Sequence, residues 1–120
     1  MPAIYYVEKH YGGNIRNEEM AKLCAMSPYW FSRSFTREFG LSFRDFVVRF
    51  RLRKAYYLLK SSQTTVKDVA YAVGFNDISY FSRTFKRHFG ILASSIASQP
   101  LETVIDDSAI ARLHLPQDLV

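Results

Sequence analysis

Residues 29–41 of the chain read YWFSRSFTREFGL, and residues 79–91 read SYFSRTFKRHFGI. The segments lie 50 residues apart and share Phe31/Phe81, Ser32/Ser82, Arg33/Arg83, Phe35/Phe85, Arg37/Arg87, Phe39/Phe89 and Gly40/Gly90. Seven identities in thirteen positions of so short a chain mark a duplicated structural unit. The likeness continues upstream, where Met20-Ala21 matches Val69-Ala70 at an offset of 49. The second copy therefore holds one extra residue, near Gly74–Asp77, where a turn tolerates insertion.

Each copy spells a short helix, a tight turn and a longer helix. Ser27-Pro28 offers a capping hydroxyl and then proline at the first helical position. Asp77 can cap the second copy, after Gly74 and Asn76 have made the turn. Gly40 and Gly90 supply the left-handed positions that end both helices. Ahead of them one short amphipathic helix starts at Asn17 and Glu18-Glu19 and runs through Leu23. Another starts at Thr64 or Thr65 and runs through Val73, with Val66, Val69, Ala70 and Val73 on one face. Ala21 and Ala70 are small, as close packing of steeply crossed helices demands. This is the helix-turn-helix arrangement.

Between the copies, Ser42 to Lys60 keeps helical periodicity through Phe43, Phe46, Val47, Phe50, Ala55, Leu58 and Leu59, with no Gly or Pro. Such a helix spans a little under ~30 Å. An opening helix from about Ile4 to Tyr11 is stopped by Gly12-Gly13. The expected fold is all-α: two helix-turn-helix lobes joined by a long linker helix, about seven helices. The first lobe takes residues 1–41, the linker helix 42–60 and the second lobe 61–97. Residues 98–120 form an acidic tail that is a candidate for disorder.

Composition bounds what such a chain can do. Of 120 residues 48% are hydrophobic, which belongs to a folded chain. Ten Phe and eight Tyr can fill two small cores, since each ring buries a large area. The net charge of +5 is uneven. Residues 1–90 carry fifteen Lys and Arg against seven Asp and Glu, whereas residues 91–120 carry Arg112 against Glu102, Asp106, Asp107 and Asp118. A basic body suits a polyanion, nucleic acid first and an anionic membrane surface second. Cys24 is the only cysteine, so no disulfide closes within the chain, in keeping with a reducing cytoplasm. No apolar run is long enough to span a membrane, and no signal peptide is legible.

On the longer helix of each copy, Phe31, Phe35 and Phe39, like Phe81, Phe85 and Phe89, form one stripe at spacing four and must face a core. Rotation of about 100° per residue puts Arg33 roughly opposite Phe31, flanked by Tyr29, Ser32 and Thr36 or Arg37. The second copy presents Ser79, Ser82, Arg83, Lys86 and Arg87, while Ile78 leans toward the stripe. A major groove admits such a helix, and an Arg fork pairs with two acceptors on guanine. Hydroxyls and helix N-termini suit phosphate oxygens. A single basic face could merely be solvated; Arg33 and Arg83 at equivalent places argue for more. The linker helix adds Arg44, Arg49, Arg51, Arg53 and Lys54, some solvating the helix and others suited to clamping phosphates.

The strings MSPYWFSRSFTREFG, RLRKAYYLL and VKDVAYAVGFNDISYFSRTFKRHFG resemble the AraC/XylS-type transcription-factor domain over about residues 4–92. The resemblance implies a seven-helix, two-lobed domain whose recognition helices enter successive major grooves on one face of duplex DNA. The middle helix would set a separation near one helical turn of about 34 Å. It also implies a cytoplasmic transcription regulator that reads an asymmetric site and, as an activator, touches RNA polymerase. By position, the base-reading residues would be Tyr29, Ser32 and Arg33 in the first lobe and Ser79, Ser82 and Arg83 in the second. Phosphates would fall to Ser27, Arg37, Thr65, Lys86 and Arg87. Trp30 and Tyr80, before the core Phe, would be half-buried packing or sugar contacts. The family usually continues after its second Phe-Gly with Ser-Pro and then Tyr-Arg; here Ile91-Leu-Ala-Ser-Ser-Ile-Ala follows. The last helix is therefore expected to be short, shifted or absent. Members usually carry a separate sensing or receiver domain, so the chain reads as the C-terminal piece of a longer regulator, and as a monomer.

An enzyme is disfavoured. His10, His88 and His114 lack metal-ligand spacing, Cys24 reads as a small core hydrophobe, and no phosphate loop or nucleophile motif occurs. No metal and no cofactor is expected. The stronger rival is a protein-interaction module in which one lobe reads DNA and the other holds RNA polymerase or another partner.

Overall fold

The computed structural model describes residues 1–99 and 106–116. Every regular element in them is helical: α1 (Pro2–His10), α2 (Asn17–Leu23), α3 (Pro28–Phe39), α4 (Phe43–Ser61), α5 (Val66–Ala72), α6 (Ile78–Phe89), α7 (Ala93–Ala97) and α8 (Asp107–Ala111). Local chemistry sets most of the ends. The Ser27 and Ser42 hydroxyls accept from the backbone N–H of Trp30 and Asp45, Thr65 does so from Asp68, and an Asp77 carboxylate oxygen accepts from Ser79 and Tyr80. Gly40 and Gly90 end α3 and α6 at φ of 80° and 76°. The opening helix starts two residues earlier than the sequence suggested, because Pro2 sits at its first position. Helix α7 is short, five residues, and Leu92 at its N-cap offers no side-chain acceptor.

The sequence repeat is a repeat of backbone geometry. In the first turn Met26 N–H donates to Ala21 C=O at 2.9 Å; in the second, Phe75 N–H donates to Ala70 C=O at 2.9 Å. One residue earlier, Ala25 bonds Lys22 at 3.0 Å and Gly74 bonds Tyr71 at 3.1 Å. Ala25 and Gly74 both carry positive φ, 56° and 105°. The extra residue of the second copy falls after this shared bend, ahead of α6.

The apolar residues separate into two cores that meet on α4. Ala3, Val7, Met20, Ala21, Phe31, Phe35, Phe43, Phe46, Val47 and Phe50 form the first. From Leu52 onward, α4 serves the second core, with Val69, Ala70, Val73, Phe75, Phe81, Phe85, Phe89, Ala93 and Ile96. The phenylalanine stripes anchor both. Phe35 lies 4.7 Å from Phe39 and 5.4 Å from Phe46, and Phe85 lies 4.5 Å from Phe89, in tilted arrangements that favour ring edges against faces.

Two features depart from the expected picture. The basic residues of α4 serve the fold more than its surface. The Arg51 guanidinium donates to the carbonyls of Tyr11 and Gly13, both at 2.8 Å, and Arg49 donates to Leu113 C=O at 3.0 Å. Arg53 and Lys54 lie over the Phe50 ring. Carbonyls of Tyr11, Gly13 and Leu113 hold Arg49 and Arg51, and ring faces hold Arg53 and Lys54. Of the five, Arg44 is exposed. The acidic tail is also folded in part. Residues 106–116 carry α8, an eighth helix, and Leu113 is wholly buried in the second core, where its apolar burial outweighs the local polarity. The tail residues 100–105 and 117–120 lie outside the described residues.

Candidate nucleic-acid interface

Because the Phe stripe of α3 faces a core, its opposite side faces solvent, and Tyr29, Ser32, Arg33 and Arg37 are all exposed there. The geometry is organised. Arg33 Nη1 donates to the Tyr29 hydroxyl at 3.0 Å, and its guanidinium lies 5.5 Å from the Tyr29 ring centroid. A guanidinium so held has lost part of its rotamer freedom before any ligand arrives. Asn17 Nδ2 donates to Ser32 Oγ at 3.4 Å, tying the edge of α3 to the start of α2. Asn17 was read from the sequence only as a helix start; its contact with Ser32 depends on how α2 crosses α3, which no local pattern shows.

On α6, Ser79, Arg83, Lys86 and Arg87 are exposed and Ser82 is half-buried. Ser82, Arg83, Lys86, Arg87 and Leu92 line a shallow cavity of ≈ 410 Å³. Among the described residues, Arg83, Lys86 and Arg87 meet no carboxylate partner, so the face stays positive. His88, on the flank, is held below the usual histidine range, first by burial and then by the neighbouring charges of Arg49 and Arg87. Leu92 was missed as part of this face. The missing Ser-Pro after Gly90 was its only sequence signal.

The lobes are not chemical copies. Trp30 is 55% exposed, edge-on to Tyr29 at 5.8 Å between centroids. Its counterpart Tyr80 is half-buried against Phe75 at 6.0 Å. Phe75 closes the second turn where Met26 closes the first, so Tyr80 rests on a ring that the first lobe lacks. Ser27 and Thr65, placed at the caps of α3 and α5, spend an acceptor lone pair on the backbone and keep a hydroxyl proton to donate. A groove of ≈ 660 Å³ runs along α4 between the lobes, with Asn17, Arg44, Asp77 and Tyr80 on its rim. It separates the Ser32 edge of the first lobe from the start of α6.

No group of three His, Cys, Asp or Glu among the described residues could hold a metal ion. No helix among them is long and apolar enough to cross a membrane. What the arrangement offers is two exposed helices bearing guanidinium, hydroxyl and ammonium donors.

A family model described as a helix-turn-helix domain matches residues 20–99. The chain is 34% identical to the HTH-type transcriptional activator RhaS of Mannheimia succiniciproducens, over 73% of this chain and 33% of RhaS. The chain spans about a third of the length of the curated relatives it matches. A probable AraC family transcriptional regulator from Rhodopseudomonas palustris superposes with a TM-score of 0.75 at 28% identity, covering 80% of this chain and 91% of that one. The DNA-binding domain of AdpA, a global transcriptional factor solved with a target DNA, shares the fold at 23% identity and a TM-score of 0.75, covering 80% of this chain and 86% of that one.

Proposed function

This chain belongs to the AraC-type helix-turn-helix family of DNA-binding transcription regulators, not of enzymes, and we propose that it reads one asymmetric duplex site with α3 and α6 in successive major grooves. The observation that carries this reading is the exposure of Arg33 and Arg83 on equivalent outer faces, each opposite a buried Phe stripe. Arg33 and Arg83 donate their forks to guanine acceptors. Tyr29, Ser32, Ser79 and Ser82 contact neighbouring base edges, and Ser27, Arg37, Thr65, Lys86 and Arg87 hold phosphates and fix register. The 19-residue α4 is about 28 Å long, which suits lobes placed one DNA turn apart. The setting is the cytoplasm, the chain acts as a monomer, and the regulator activates through RNA polymerase.

Exposed Trp30 supports a second reading. A half-exposed tryptophan beside an arginine has the composition of a protein-binding hot spot, so the first lobe would hold RNA polymerase or another protein while the second reads DNA. One experiment separates them. Sites are selected from random duplexes at recorded salt, and Arg33→Ala and Arg83→Ala are then titrated against the selected site. Two-groove reading predicts a loss of about 1–3 kcal/mol for each variant, with preference relaxed at different bases. An Arg33→Ala chain that binds like wild type, beside an Arg83→Ala chain that does not bind, rejects it in favour of the second reading.

A further inference from the structure

Residues 106–116 lie beyond the stretch matched by the family model, yet they are built into the molecule. Asp106 caps α8 by accepting from Ser108 and Ala109 N–H. Arg112 Nη1 then donates to the carbonyl of Phe89, the last residue of α6, at 2.8 Å. Leu113 is wholly buried in the second core, and its carbonyl accepts from Arg49 of α4. Leu115 packs against the cores of both lobes. The segment thus touches the end of α6, the middle of α4 and the first lobe in turn.

The opposite side of α4 carries a second tie. Arg51 follows Arg49 by two residues, so at about 100° per residue the two project roughly 160° apart. Arg51 grips the carbonyls of Tyr11 and Gly13 from the first lobe, and Gly74 of the second lobe packs so closely that a Cβ there would lie 2.7 Å from Arg51 Nε. A single helix joining two bodies can bend toward any side. Ties on opposite sides resist bending in both directions.

We infer that residues 106–116 are a strap that sets the separation and tilt of α3 and α6, making Arg49, Arg112, Leu113 and Leu115 determinants of the half-site spacing the chain accepts. The inference rests on the two-groove reading. Two rigidly spaced helices penalise any change in the distance between half-sites, because one inserted base pair moves the second groove by about 3.4 Å and rotates it by about 34°. Lobes that can hinge absorb part of that change.

The test uses the full chain and two variants, Leu115→Asp, which breaks the contacts of Leu115 with both lobes, and Arg49→Gln, which weakens the tie to α4. Binding is titrated on the selected duplex and on one with a base pair inserted between half-sites, and thermal melting checks that each variant is folded. The expected result is a spacing penalty of at least about tenfold for wild type that shrinks to about threefold in Leu115→Asp, with Arg49→Gln between them. A DNA-free arm measures the distance between spin labels on Lys9→Cys of α1 and Lys67→Cys of α5, in a Cys24→Ser background. A narrow distribution that broadens in Leu115→Asp supports the strap. Folded variants that keep the wild-type penalty or the wild-type width overturn it. A wild-type chain with a narrow distribution and no spacing penalty overturns the two-groove reading instead.

Discussion

At position 25 an alanine holds φ at 56°, where its counterpart Gly74 holds 105°. The left-handed region costs an L residue roughly 1–2 kcal/mol, and the first turn carries that cost because the Met26 to Ala21 bond closes it as Phe75 to Ala70 closes the second. Ala25→Gly therefore raises stability by up to about 1 kcal/mol in urea unfolding, part of the relief being offset by the freedom glycine gains in the unfolded chain. Gly74→Ala acts in the opposite direction and harder. Its Cβ would lie 2.6 Å from the Tyr11 carbonyl oxygen as well as against Arg51, so it loses at least about 2 kcal/mol through backbone strain and displaced hydrogen bonds. Effects of equal size and opposite sign would show that the close approach of Tyr11 and Arg51 to Gly74 adds nothing to the cost of the backbone conformation.

Helices α4 and α7 start at equivalent places in the repeat, after Gly40 and Gly90, but with unlike caps. Ser42 Oγ accepts from Asp45 N–H at 3.1 Å, and α4 runs for 19 residues. Leu92 occupies the same place before α7, is 47% exposed, and caps nothing. Leu92→Ser is expected to gain about 1 kcal/mol of stability, read as a rise in melting temperature, because an acceptor is added where little apolar burial is lost. A melting temperature that falls would mean that Leu92 packs in a way its exposure does not suggest. The end of α6 shows the complementary device. Arg112 donates to Phe89 C=O and puts a positive charge at the helix C-terminus, where the macrodipole favours it.

Two cores of this size, each drawn from roughly half the chain, are close to the limit of independent stability. They share α4, and Tyr11 and Leu115 pack against both. The molecule is therefore expected to unfold as one unit. Phe46→Leu, wholly within the first core, costs about 1–2 kcal/mol. Native-state hydrogen exchange should show amides of Val73 and Phe85 in the second lobe losing protection by the same amount as those of Phe31 and Phe35. Loss confined to the first lobe would make the lobes separate folding units, and the ties at Arg51 and Leu115 weaker than their geometry implies.

The duplication, the caps at Ser27 and Asp77, the glycine stops and the outward side of each recognition helix were determined by the sequence alone, whereas the choice of Thr65 over Thr64 as a cap was made by the structure. The former depend on spacing within one helix turn and on the chemistry of one residue, which a linear string states directly. Tertiary structure alone decided which cations of α4 face outward. Arg44 is exposed while Arg49 and Arg51 are spent on carbonyls, because those carbonyls come from Leu113, Tyr11 and Gly13, about 40 and 64 residues away along the chain. It also decided that Trp30 is open while Tyr80 rests on Phe75, and that an acidic segment folds against both lobes. In each case the deciding partner is distant in sequence, and burial and hydrogen bonding depend on distance in space.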